Sequence, residues 1–171
     1  MAILFMGGED SVLTPVNTPS VSTSTSTFDT AVSRCSVVTP EGAGSYWVAE
    51  VDSAVATVRV HFKAYYSIHN GGGANVYWEL QDASSVGILR MVNTSGSSNS
   101  TLRIQYWNGS SWTDMSTFSI PNGTRYTFDI EMTTGASGEA SVFIDNQEYA
   151  SGSIGSSTGS FKKALLRYGG S

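Results

Sequence analysis

From Ala56 to Tyr66 apolar and polar side chains alternate one by one. Ala56, Val58, Val60, Phe62, Ala64 and Tyr66 fall on one side, with Thr57, Arg59, His61, Lys63 and Tyr65 on the other. A period of two is the mark of a half-buried strand, because successive side chains of extended backbone point to opposite faces. Residues 75–81 repeat it, with Val76, Trp78 and Leu80 inward and Tyr77, Glu79 and Gln81 outward. Leu102, Ile104 and Tyr106 take the inner side of 101–107, and Tyr126, Phe128, Ile130 and Met132 that of 125–132. Asn108-Gly109, Asn122-Gly123 and Asp145-Asn146 accept positive φ at low cost and mark turns between such runs. Residues 69–75 and 93–100 are longer loops of glycine and serine. No segment shows a sustained helical period with caps. Many short strands, each with one apolar face, predict an all-β fold of two antiparallel sheets packed face to face.

The alternation starts near Phe28. Before it, residues 1–13 read as a short apolar leader that turns acidic, and residues 14–27 as a tether of Pro, Ser and Thr with too little apolar area to hold a fold alone. The chain therefore divides into an extended N-terminal arm, 1–27, and a single sandwich, 28–171, which suits a length of 171 residues and one hydrophobic core. Ile3, Leu4, Phe5 and Met6 are the arm residues expected to dock on a partner. The last run, "FKKALLRYG", reads as a strand that pairs within its own sheet or with a neighbour.

Composition narrows the function. Charged residues make up 13% and the net charge is −5, so the cationic surface that grips phosphate backbones is missing and nucleic acid is not an expected partner. No apolar run approaches the ~20 residues of a membrane span, and membrane insertion is not expected. Cys35 is the lone cysteine, which excludes an internal disulfide and thiolate-pair zinc sites. The opening "MAILFMGGED" lacks a basic stretch ahead of its apolar run, so no secretory signal is read there. The Asn-x-Ser/Thr triplets at Asn93, Asn99, Asn108 and Asn122 are read as chance in so Ser/Thr-rich a chain.

The segment "RIQYWNGSSWTDM", 103–115, holds the most suggestive chemistry. Alternation turns Trp107 outward, where it packs against Trp112 across the hairpin. Exposed indole and phenol rings offer flat apolar faces to sugar rings, and neighbouring amides and carboxylates hydrogen-bond hydroxyls. Trp107, Asn108, Trp112 and Asp114 form the expected glycan set, with Tyr65 and Tyr77 as further platforms. The same aromatics also suit packing inside the sandwich or against another subunit. His61 and His69 share no metal-binding spacing, no nucleophile elbow is present, and "HNGGGAN" lacks the Lys-Ser/Thr ending of a phosphate loop.

Residues 101–152 resemble the second half of concanavalin A-like jelly rolls of the laminin-G type: strand, turn and strand, then an aromatic-rich strand and a hairpin whose usual Asp-Gly turn is here Asp145-Asn146. The opening "MAILFMGGED" resembles the start of tailed-bacteriophage virion proteins, with Gly7-Gly8-Glu9-Asp10 in place of the more usual Asp-Gly-Phe-Asp. What these resemblances imply is a non-enzymatic virion structural protein: a capsid decoration protein, head fibre or tail-associated component. It would be assembled in the host cytoplasm and would contact other virion proteins or copies of itself. The alternative is a carbohydrate-binding module or host-surface adhesin, with a host-surface glycan as partner. A further implied reading is a laminarinase-like hydrolase using Asp129 and Glu131, which alternation places on one outward face roughly 7 Å apart at Cα. No catalytic residues and no cofactor are expected. Laminin-G-like domains often carry calcium, for which Asp82, Asp114 and Asp145 would be the oxygen donors, though nothing resembles a contiguous calcium loop.

Overall fold

Strands with one face of Val, Ile, Phe and Leu are stable only when that face is covered, and the chain meets this with two layers of sheet. The computed structural model describes residues 2–6, 26–29, 37–40, 46–66, 75–93, 101–121, 123–155 and 159–167. In chain order the strands are β1 (Ala2–Met6), β2 (Ser26–Asp29), β3 (Val37–Pro40), β4 (Tyr46–Val55), β5 (Thr57–Tyr66), β6 (Asn75–Asp82), β7 (Gly87–Asn93), β8 (Leu102–Trp107), β9 (Trp112–Phe118), β10 (Thr124–Thr133), β11 (Glu139–Ile144), β12 (Gln147–Ser153) and β13 (Phe161–Arg167). One layer is a five-stranded sheet in the order β1-β5-β10-β11-β12, the other a six-stranded sheet in the order β4-β13-β6-β7-β8-β9, and β2 and β3 form a separate pair. All pairings are antiparallel except that of β1 with β5. The expected antiparallel sandwich is therefore present, and no helix occurs among the described residues.

The core lies between the layers. From the five-stranded sheet Val58, Val60 and Phe62 of β5 and Phe128, Ile130 and Met132 of β10 point inward, as their alternation predicts. They meet Trp78 and Leu80 of β6, Leu89 and Met91 of β7, and Leu102 and Ile104 of β8. The rings of Phe62 and Phe128 stack with centroids 5.0 Å apart. Tyr106 is only half-buried, packed against the edge of this core. At the flank where β9 and β12 meet, Phe118 and Tyr149 close the sandwich with ring centroids 4.6 Å apart.

The turns follow their residues. Asp145 (φ 48°) and Asn146 (φ 66°) both occupy left-handed backbone, which a two-residue hairpin with the right-handed twist of β11 and β12 demands. The Asp145 N–H donates to the Thr127 carbonyl at 2.9 Å, and the Thr127 N–H donates to Asp145 Oδ1 at 2.8 Å, tying the hairpin to β10. The final run pairs within its own sheet: β13 lies between β4 and β6. The leader residues Ile3, Leu4, Phe5 and Met6 form the edge of the five-stranded sheet, running from Ala2 beside Val58 to Met6 beside Phe62. Their side chains, and residues 7–25 of the leader and tether, lie outside the described residues.

Phe128→Ala should lower unfolding free energy by roughly 3–5 kcal/mol, through lost burial and the cavity left behind. Glu131→Ala, one residue outside that core and paired with Arg59 where both side chains are about half exposed, should cost under about 1 kcal/mol. Urea denaturation of the two variants beside the unchanged chain measures both.

Candidate functional site

The outer face of the six-stranded sheet carries polar side chains, some of them nearly excluded from water. Strand register sets Glu79 of β6 opposite Arg90 of β7, Arg90 opposite Gln105 of β8, and Gln105 opposite Asp114 of β9. Four neighbouring strands thus contribute one cross-strand row, spanning roughly 14 Å from three interstrand spacings. From Arg90 to Asp114 the row is hydrogen-bonded. Arg90 Nε donates to Gln105 Oε1 at 2.9 Å, Gln105 Nε2 donates to Asp114 Oδ1 at 2.7 Å, and Arg103 Nη1 donates to Asp114 Oδ2 at 2.8 Å. At the β6 end Gln81 Nε2 donates to Glu79 Oε1 at 2.5 Å. Glu79 and Gln105 are only 7% and 8% exposed, so these bonds replace water that burial has removed.

Trp112 lies across this row. A Cβ built on Gly87 would stand 2.6 Å from Cη2 and Cζ2 of Trp112 and 3.1 Å from Glu79 Oε1. The indole therefore reaches from β9 past β8 to rest against the bare backbone of β7. The Arg90 guanidinium stacks on the same ring, 3.9 Å from its centroid, a cation–π contact that contributes about 0.5–2 kcal/mol as water is excluded. Trp107, opposite Trp112 in register, meets it edge-on with centroids 5.6 Å apart and planes inclined by 66°. Two indoles over a braced polar row form an aromatic platform.

Of the residues expected to carry glycan chemistry, the structure brings Trp107, Trp112 and Asp114 together on this face, and the packing of the two tryptophans across the hairpin is as expected. Asn108 has a different task. Its Oδ1 accepts from the Ser110 N–H at 3.0 Å and the Ser111 N–H at 2.9 Å, and its Nδ2 donates to Thr113 Oγ1 at 3.0 Å, so the side chain builds the β8–β9 turn. Tyr77 sits at a bulge of β6 and packs, half-buried, against the core. Tyr65 belongs to β5 in the other sheet, opposite Arg125, and its side chain lies outside the described residues.

Arg90, Arg103, Gln105 and Gly87 were not anticipated, and Glu79 and Gln81 were read only as outward-facing. A signal for two of them exists in "RIQYW", because Arg103 and Gln105 share the phase of Trp107. Arg90 had none, since β7 places Ile88 and Leu89, then Met91 and Val92, all buried, on consecutive positions. A register shift at Ile88 sends it into the same core as Leu89, and Val92 is buried as well as Met91, so the run has no period of two.

The remaining candidates are engaged elsewhere. Asp129 and Glu131 do share one outer face, but His61 Nδ1 lies 2.7 Å from Asp129 Oδ1, and Glu131 pairs with Arg59. These cross-strand pairs give both carboxylates a partner on the five-stranded sheet. The three aspartates considered for calcium stand apart. Asp82 Oδ1 accepts from the Ser84 and Val86 N–H groups at 2.8 and 2.9 Å, Asp114 belongs to the row, and Asp145 caps its hairpin. Among the described residues no group of three or more His, Cys, Asp or Glu gathers to hold a metal.

No protein-family model matches the sequence, and no curated protein matches it either. Solved structures do match the fold. An alginate lyase, Aly36B, is similar over 72% of this chain and 64% of its own, with a TM-score of 0.56 and 13% identity. A mutant of that lyase in complex with alginate trisaccharide is similar over 73% and 64%, with a TM-score of 0.57 and 13% identity. A sialidase is similar over 71% of this chain and 11% of its own, with a TM-score of 0.50 and 15% identity. The chain thus spans less than two thirds of the lyase structures it matches. Identity this low shows the shared β-sandwich.

These matches correct two expectations. The non-enzymatic virion reading, whether capsid decoration, head fibre or tail component, rests on the leader's likeness to phage proteins and on the missing catalytic constellation, whereas the matched structures of this shape include alginate lyases and a sialidase. The expectation that the chain is not an enzyme falls with it, because the proteins in which this sandwich is found include enzymes.

Gly87→Ala should lift Trp112 off β7, since the new methyl would overlap its ring. The expected result is a red shift of tryptophan emission, altered near-ultraviolet circular dichroism and a stability loss of about 1–3 kcal/mol.

Proposed function

We propose that the chain is a polysaccharide-recognising β-sandwich whose ligand lies along the outer face of the six-stranded sheet. The observation that carries this reading is the Trp107–Trp112 platform set over the row Glu79–Arg90–Gln105–Asp114. Pyranose rings present apolar C–H faces and equatorial hydroxyls. Flat indoles take the first, and fixed amide and carboxylate groups take the second. A row that crosses four strands suits an extended chain of sugars, because successive rings meet successive strands. The fold supports the reading as well, being shared with a lyase solved with an alginate trisaccharide. Asn108, Tyr77 and Tyr65 are left out of the binding set: the first is spent on the turn, the second on the core edge, and the third belongs to the other sheet.

A glycan array probed with the intact chain should show binding that Trp107→Ala and Trp112→Ala each reduce about tenfold or more, as buried aromatic anchors do at binding surfaces. Thermal melting of both variants confirms that they remain folded. An array signal indifferent to both substitutions, or no signal at all, rejects this face as the site. Chromatography of the bound polysaccharide before and after incubation separates recognition alone from recognition with cleavage.

A further inference from the structure

The two arginines of the platform stand beside carboxylates before any ligand arrives. Arg103 is held by Asp114 at 2.8 Å, and its Nε is buried with no partner, so that donor is not presented to a ligand. Arg90 donates to Gln105, stacks on Trp112 and stands opposite Glu79 in register. Lys163 of β13, two strands beyond β7 on this face, donates to Ser85 Oγ at 2.8 Å. Each arginine of the row thus stands beside a carboxylate, within a chain whose net charge is −5.

An acidic sugar would bring one carboxylate per residue to this surface. Binding it at the platform requires a cation whose charge is not already balanced by a neighbouring carboxylate, because a carboxylate that loses water without such a partner is strongly disfavoured. To pair with Arg103, a uronate must displace Asp114 and then remain beside it. To pair with Arg90, it must approach Glu79. Neutral pyranoses meet neither obstacle: the indoles take their C–H faces, and the partly exposed Asp114 keeps acceptor capacity for hydroxyls.

We infer that the ligand of this face is a neutral glycan, discriminated from its uronic counterpart by these internal pairings. The inference rests on the glycan reading of the platform. It is tested by calorimetric titration of the whole chain with matched oligosaccharides that differ only in oxidation at C6: mannan against mannuronan, glucan against glucuronan, and galactan against galacturonan. The neutral member of at least one pair should bind about tenfold or more tightly than its acidic twin, with little dependence on salt, since no ion pair forms. Preferential binding of an acidic member, weakening as salt rises, overturns the charge inference while leaving the platform a glycan site. Silence from every pair removes both. Asp114→Asn, folded by thermal melting, releases Arg103 from its carboxylate and should narrow the preference for the neutral member several-fold. An unchanged preference in that variant rules out the pairing as its cause.

Discussion

The apolar faces of the two sheets leave water only by covering each other, and that mutual burial sets every other feature of the structure. Val60, Phe62, Phe128 and Ile130 on one layer and Trp78, Leu80, Leu89 and Ile104 on the other are at most 2% exposed. Each such side chain contributes about 1.5–3 kcal/mol by leaving water. The alternation that sends these residues inward sends their sequence neighbours outward, so the outer faces are specified by the same pattern. Arg103, Gln105 and Trp107 face out because Leu102 and Ile104 face in. The platform is therefore a by-product of core register, held by strands that cannot slip by one residue without exposing the core.

The two outer faces have taken different chemistry. On the five-stranded sheet, Arg59 with Glu131 and His61 with Asp129 form partly exposed pairs, of the kind that contributes little to stability and is screened by salt. On the six-stranded sheet the polar groups are linked into one network beneath and around indole rings, and several are nearly excluded from water. A hydrogen-bonded network of this kind rigidifies its surroundings, because each member fixes the rotamer of the next.

How much was legible in the sequence depended on whether a strand alternates without interruption between a covered side and a wet one. β5, β8 and β10 each carry a wet side, so their residues alternate and the inward set could be read directly. β7 shifts register at Ile88 and buries Val92 as well as Met91, which left no period, so Gly87 and Arg90 were invisible until the register was known. β6 lies between: Trp78 and Leu80 were placed correctly, but nothing in the alternation told that Glu79 and Gln81 would be nearly as buried on the opposite side. The role of Asn108 was also hidden, since an asparagine before glycine has the same letters whether its amide reaches outward or folds back on its own turn. Function was the least legible. The resemblance of the leader to virion proteins pointed one way and the sandwich's structural matches point another.

The inward-folded amide of Asn108 has a further consequence. A loop that must be ordered on contact spends part of its interaction energy on lost conformational freedom, whereas here the four residues between β8 and β9 are already cross-braced by the side chain at their start. The tryptophans at either end are consequently held at fixed separation in the empty state. Recognition on such a surface approaches rigid-body docking, in which little entropy is surrendered by the protein and affinity reflects the fit of the partner's own shape.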